Sequence, residues 1–97
     1  MELGQCVEWE SQAQGVKKKK QGVIVGVVPA NSPKRPIHYL ADVSDESEAR
    51  EKYSTGPIDG CGFSRNHESY LVAVSTGKTD AAKKTLYWPR VSALSLA

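Results

Sequence analysis

At 97 residues, with 39% hydrophobic and 25% charged residues, the chain has the size of one domain and is too apolar to be wholly disordered. Its net charge of +2 is weak, so charge alone does not indicate a polyanionic partner. The longest apolar run, Val23 to Ala30, is far shorter than the roughly 20 residues that cross a bilayer, so we expect no membrane-spanning segment.

The amino terminus and the cysteines both indicate a cytoplasmic protein. The opening residues, MELGQCVEWE, have neither the basic region nor the apolar region of a signal peptide. Cys6 and Cys61 form no CxxC motif and have no disulfide-framework spacing, so we expect free thiols in a reducing compartment.

Charge is separated along the chain. Residues Lys17 to Arg35 include six basic side chains and no acidic one, whereas Asp42 to Glu51 include five acids and one base. We therefore expect a basic patch and an acidic patch, a pattern that suits a surface for a partner but also arises on solvated faces.

The first predicted element is a strand over Gln5 to Glu10. Its alternation places Val7 and Trp9 on the buried face, because successive side chains of a strand point to opposite sides. The polar run from Ser11 to Lys20, with Gly15 as its flexible point, predicts a loop.

The second predicted strand, Gly22 to Val28, is rich in β-branched residues and contains Gly26, which predicts a bend of the kind found in small barrels. A long excursion, Ala30 to Asn66, follows. Within it, SDESEAREKY (Ser44 to Tyr53) predicts a short helix that Ser44 or Asp45 can cap and that Gly56-Pro57 stops.

Two more strands and a terminal turn complete the prediction. Glu68 to Thr76 alternates as a strand, and Lys84 to Pro89 forms the last full strand because Pro89 cannot donate to a ladder. One turn of 3-10 helix after Pro89 would place Val91 and Leu94 on the same side, closing the structure. The predicted core consists of Trp9, Val23, Val25, Val72, Val74, Leu86 and Val91.

This order of elements predicts a mainly β fold: a small SH3-like barrel of the Tudor or KOW type, with one short inserted helix and a terminal 3-10 turn. We expect a single domain over residues 1–97, with a long insertion at about residues 30–66.

Four blocks, GQCVEWESQAQG, GVIVGVVP, NHESYLVAV and LYWPRVSAL, resemble segments of short uncharacterised SH3-like barrel proteins of bacteria, phages and mobile gene cassettes. The resemblance covers Gly4 to Pro29 and Asn66 to Leu94, and it implies a fold and a mobile-element setting more than an activity. The ending from Thr85 to Val91 is also similar to that of plasmid-borne dihydrofolate reductases of the SH3-barrel type. Their glutamine that contacts ligand is missing here, so we carry no catalytic residue across.

Catalysis and metal binding find little support in the sequence. Asp59, Cys61 and His67 lie close enough in sequence for a thiol nucleophile with its base, but they occupy a glycine-rich stretch that favours ordinary loop residues. The histidines and cysteines show no paired ligand spacing, and no phosphate-loop motif is present. We therefore expect a protein without catalytic activity, cofactor or metal.

Nucleic acid is one possible partner. Lysines 17–20 would lie near the last hairpin of a small barrel, where aromatic faces suit stacking and lysines suit phosphate contacts. The weak net charge and the frequent use of aromatics in small cores argue against it. The residues considered for this role also include Tyr39, Phe63, Tyr70, Lys78, Lys83, Lys84, Tyr87, Trp88 and Arg90.

A protein partner or a homodimer is the interpretation that we rank first, because SH3-like barrels commonly bind peptides or partner subunits. An acidic helix and a basic segment in one molecule also suit self-association. On either reading, we expect the ligand-binding surface to include Lys18, Lys19, Lys20, Tyr39, Arg65, His67, Tyr87 and Arg90.

Overall fold

The computed structural model describes residues 2–13, 15–59, 65–75 and 84–97, and it confirms a mainly β fold. Within these residues, six strands form one sheet in the order β3-β5-β4-β2-β1-β6, with only β3 and β5 parallel. The strands are β1 (Cys6–Ala13), β2 (Val16–Val28), β3 (Tyr53–Ser54), β4 (Ser69–Val74), β5 (Lys84–Tyr87) and β6 (Ser95–Leu96). The helices are α1 (Glu46–Lys52) and α2 (Gly56–Asp59), and 3-10 turns lie at Pro36–Tyr39 and Val91–Ala93.

The predicted loop from Ser11 to Lys20 is wrong. β1 and β2 form a long hairpin whose pairing extends as far as Ala13 and Val16. Gly15 has φ +79°, a conformation that glycine adopts without the steric cost of a side chain. Lysines 17–20 therefore lie within β2, where pairing with β1 overrides their polar character.

A β-bulge bends β2, as Gly26 predicted. Ile24 pairs with Val72 and Gly26 with Leu71, so Val25 is an extra residue that exchanges the two faces of the strand. Ile24 and Val28 are buried, whereas Val23 and Val25, which we predicted to be core residues, are half-buried.

The sheet buries apolar residues on both faces and curls strongly. In a flat sheet, β1 and β5 would lie three spacings apart, about 14 Å, yet the rings of Trp9 and Tyr87 are 5.8 Å apart. Within the described residues the sheet is not closed, so the barrel prediction is shown only in its mainly β character. The concave cluster consists of Val7, Trp9, Ile24, Tyr70, Val72, Val74 and Leu94; the helix-side cluster consists of Val28, Ile37, Leu40, Ala49, Tyr53, Ile58, Leu71, Ala73, Leu86 and Trp88.

The insertion covers the helix side of the sheet, and its predicted helix is confirmed as α1. Asp45 caps the helix by accepting a hydrogen bond from the Glu48 N–H at 2.8 Å, and the Ser44 hydroxyl donates to the Glu48 carboxylate at 2.6 Å. The prediction that Gly56-Pro57 stops this helix is wrong, because α1 ends earlier, at Lys52, and Gly56 begins α2.

Asp42 fastens the end of α1 to the preceding segment. Its carboxylate accepts a hydrogen bond from the Tyr53 hydroxyl and pairs with the Lys52 ammonium at 2.8 Å. Partial burial raises the pKa of Asp42, but the hydrogen bonds from Lys52 and Tyr53 outweigh it and leave the pKa below its ordinary value. Burial, and then the Asp42 carboxylate, raise the pKa of Tyr53, so the phenol stays protonated as the donor.

The predicted terminal 3-10 turn is confirmed at Val91–Ala93, which we call the C-terminal turn. Leu94 is buried in the concave cluster and Val91 is half-buried against it, so both face the same side as predicted. The chain then continues into β6, which the sequence did not indicate and which pairs with Val7 and Glu8 of β1. No helix among the described residues combines the length and apolar character needed to cross a membrane.

Close approach of β2 to β4 gives a testable prediction at Gly22. A Cβ atom there would lie 2.4 Å from the Ala73 carbonyl oxygen, a backbone atom held by the ladder. We expect Gly22→Ala to lower the free energy of unfolding by roughly 1–3 kcal/mol, the usual cost of overpacking. Gly56→Ala is the matched control, since a Cβ at Gly56 meets no atom within 4 Å. Urea denaturation of both variants tests this, and equal stabilities would contradict it.

Candidate functional site

Residues of the C-terminal turn line two grooves. The first, which we call the basic groove, has a volume of about 540 Å³ and is lined by Arg65, His67, Arg90, Val91 and Ser92. The second, the edge groove, has a volume of about 370 Å³ and is lined by Glu8, Trp9, Glu10, Lys19, Ala93 and Ser95. The structure thus brings together three of the predicted binding residues in one groove and places Lys19 in the other.

Arg65 is held rigidly at the wall of the basic groove. Its two terminal nitrogens donate hydrogen bonds to the carbonyl oxygens of Trp88 and Pro89, each at 2.8 Å. The guanidinium lies 3.9 Å from the centre of the Trp88 ring, a cation–π contact. The backbone is also tied down, because the Asn31 N–H donates to the Arg65 carbonyl oxygen at 2.7 Å.

The Trp88 ring packs against the guanidinium of Arg65. It is only 7% exposed, and its indole N–H donates to the buried Ser69 hydroxyl at 2.7 Å. Since both partners belong to the sheet or its direct continuation, the position of Arg65 follows from the fold itself.

His67 and Arg90 complete the polar side of this groove. Both side chains are exposed. The Nδ1 atom of His67 lies 3.0 Å from the side-chain oxygen of Asn66, which leaves Nε2 as the ring nitrogen without that contact. Arg90 directly follows Pro89, and none of the ion pairs between described residues involves it.

Lys20 and Tyr87 meet on the concave side. The Lys20 ammonium donates to the Tyr87 hydroxyl at 3.0 Å and lies 4.2 Å from the ring centre, while the edge of the ring packs against Trp9. Tyr87 is half-buried and Trp9 is 6% exposed, so neither presents an open face for stacking a base. This contact stabilises the curled sheet.

The remaining predicted binding residues are dispersed. Lys19 pairs with Glu8 at 3.2 Å, and Lys18 is exposed on the neighbouring position of β2. Tyr39 lines neither groove; it packs against the helix-side cluster, with its hydroxyl bonded to Ser32. None of these three residues lines the basic groove with Arg65.

Several residues considered from the sequence lie outside the described residues, namely Cys61, Phe63, Lys78 and Lys83, so the thiol hypothesis rests on the sequence alone. Among the residues that the structure describes, no three His, Cys, Asp or Glu side chains gather as a metal site would require.

The backbone of β1 presents a further feature that the sequence did not reveal. The Ala97 N–H donates to the Cys6 carbonyl oxygen, so the peptide groups of Cys6 point away from β2. Since this direction repeats every second residue, the N–H and C=O groups of Glu8, Glu10 and Gln12 also point outward. β6 lies opposite only Val7 and Glu8, so in the described part of the chain no strand faces Glu10 and Gln12.

No family model, curated protein or solved structure matches this chain.

The contacts of Arg65 predict a sharp difference between two arginines. Lysine at position 65 would keep the charge but lose the planar contact with Trp88 and the paired bonds to two carbonyls. We expect Arg65→Lys to lower the free energy of unfolding by about 1–2 kcal/mol. Arg90→Lys, at an exposed position, should change it by less than about 0.5 kcal/mol. Indistinguishable urea unfolding curves would refute the anchoring role of Arg65.

Proposed function

We propose that the protein is a non-catalytic binding module that associates with a second copy of itself through the open edge of β1. The observation that carries the proposal is the outward backbone of Glu10 and Gln12, which has no strand opposite it in the described part of the chain. Exposed ladder groups of this kind readily accept another strand.

Two copies of β1 fit each other in one antiparallel register. Centring the two-fold axis on Ser11 places Glu10 of each chain opposite Gln12 of the other. Both positions have outward N–H and C=O groups, so each pair exchanges two hydrogen bonds, about four in total. The register also avoids placing Glu10 opposite itself, which would set two like charges directly across the ladder.

The available length of edge suits this register. Ala13 of the second copy, the last residue of its β1, falls opposite Trp9. Pairing between the two β1 strands thus stops at Trp9, one residue before Glu8, the residue at which β6 begins its pairing. The edge groove, lined in part by Glu10 and Ser95, lies beside the place where the hairpin turn of the partner would sit.

We expect a weak dimer. A short strand-to-strand contact buries little area, and the net gain from each backbone hydrogen bond is modest, so a dissociation constant in the micromolar to millimolar range follows. Because the bonds join neutral groups, the association should depend little on salt.

We also infer that the fold is an incomplete SH3-like barrel and that the protein serves a phage or mobile element. The curl that brings Trp9 to Tyr87, the bulge at Val25 and the C-terminal turn over the concave cluster support the fold assignment. The four sequence blocks described above support the genetic setting.

Glu10→Pro tests the proposed dimer. Proline removes the outward N–H of residue 10 while leaving the bonds between β1 and β2, which come from the alternate residues. We expect sedimentation velocity at rising protein concentration to show dimer formation by the wild type and by the control Glu10→Ala, which keeps the N–H. Glu10→Pro should remain a monomer. The proposal is contradicted if the wild type stays monomeric up to about 1 mM, the weak limit of the expected range of dissociation constants.

A cross-link tests the register itself. Residues that face each other between hydrogen-bonded pairs have Cα atoms about 4.5 Å apart, a distance that a disulfide spans. In a background with Cys6→Ser and Cys61→Ser, Ser11→Cys should therefore form a covalent dimer under mild oxidation. Lys18→Cys, opposite Ser11 on the other strand of the same hairpin, should not. The reverse pattern would show that another surface associates.

Nucleic-acid binding is the second candidate, and the hairpin favours it at one place. Lys17 and Lys18 are exposed and lie opposite the uncharged residues Gln12 and Ser11, whereas Lys19 lies opposite Glu10 and pairs with Glu8. The tip of the hairpin thus carries positive charge that no cross-strand acid offsets, and a two-stranded ribbon has the width of a DNA major groove.

Salt dependence tests this second candidate. Fluorescence anisotropy with a labelled double-stranded oligonucleotide should show affinity that falls steeply as salt rises. Lys17→Ala with Lys18→Ala should lower the slope of log affinity against log salt by about 1–2, because two phosphate contacts are lost. Lys34→Ala with Arg35→Ala, two adjacent exposed cations outside the hairpin, is the control. No binding at low salt would exclude the candidate.

A further inference from the structure

The basic groove combines an apolar surface with cationic side chains. Val91, half-buried, contributes apolar surface, while Arg65, His67 and Arg90 surround it and Ser92 adds a hydroxyl. A volume of about 540 Å³ is larger than a single inorganic ion needs and lies within the range of small-molecule sites.

Arg65 gives this groove a charge that is fixed in place. The stacking on Trp88 and the bonds to the carbonyls of Trp88 and Pro89 determine the plane of the guanidinium before any ligand arrives. A side chain that is already ordered loses little conformational entropy on binding, so its attraction for an anion is retained as affinity.

Arg90 supplies the donors that an anionic ligand can engage. The guanidinium of Arg90 is exposed and can present two parallel N–H groups to the two oxygens of a carboxylate or phosphate. His67 contacts the Asn66 side chain through Nδ1, and its ring forms part of the groove wall.

We propose that the basic groove binds an organic oxyanion, that is, a carboxylate or phosphate group attached to an apolar body. Arg90 contacts the oxyanion, Arg65 favours its negative charge, and the apolar body packs on Val91. The site is separate from the β1 edge, because the basic groove and the edge groove share no lining residue. The outcome of the dimer experiments therefore does not affect this proposal.

Amide chemical-shift titrations of the full chain test the proposal. The probes are phenyl phosphate, benzoate, inorganic phosphate and phenol. We expect phenyl phosphate, benzoate or both to shift the amides of Val91 and Ser92 in a saturable way, and the more effective probe identifies the oxyanion. Inorganic phosphate lacks the apolar body and phenol lacks the charge, so both should bind more weakly. If neither phenyl phosphate nor benzoate shifts these amides, the proposal is wrong.

A matched pair of arginine variants locates the contact. Arg90→Gln should weaken binding of the effective probe about tenfold, because a charge-assisted hydrogen bond is lost. Arg35→Gln, the same change at an exposed arginine that does not line the groove, should leave the affinity unchanged. Because both side chains are exposed, neither variant should unfold the protein. Equal affinity of Arg90→Gln and the wild type would overturn the assignment.

Discussion

The contact between Trp9 and Tyr87 is the constraint on which the rest of the molecule depends. These residues belong to strands that are separated in the sheet by β2 and β4, so their rings meet only because the sheet curls. The bulge at Val25 supplies part of that curl, and the Lys20 ammonium over the Tyr87 ring holds the hairpin against β5. A flatter sheet would leave the concave cluster open to water.

The curl also decides where the carboxyl-terminal residues lie. Leu94 enters the concave cluster from the open side, which places the C-terminal turn across that face and directs β6 to the outer edge of β1. Only two residues of β6 pair with β1, because the residues before Ser95 form the C-terminal turn and the buried Leu94. The open part of β1 and the two grooves beside the turn are thus consequences of a single packing arrangement.

The sequence was most informative where short-range physics decides the structure. The alternation around Leu86, the N-cap at Asp45 and the proline before the C-terminal turn each act over a few residues, and each predicted element is present. The hairpin was missed because a run of lysines is typical of a loop, and only the pairing with β1 shows that lysines 17–20 belong to a strand. Leu71 and Ala73 were missed as core residues because the alternation of β4 suggested one buried face, whereas the insertion covers the second.

In the candidate site, too, the sequence indicated single residues but not the long-range contacts between them. Arg65, His67 and Arg90 were predicted individually, but their meeting depends on contacts between segments more than 20 residues apart in sequence, such as that of Arg65 with Trp88. The β1 edge was not predictable at all, because it is a property of backbone direction and of how far β6 extends.

The basic groove and the β1 edge also differ in chemistry. One offers neutral backbone groups that form directional hydrogen bonds, and the other offers charge. Salt should therefore weaken binding in the basic groove while leaving strand pairing almost unchanged, so the physical nature of each surface separates the two roles even within one molecule.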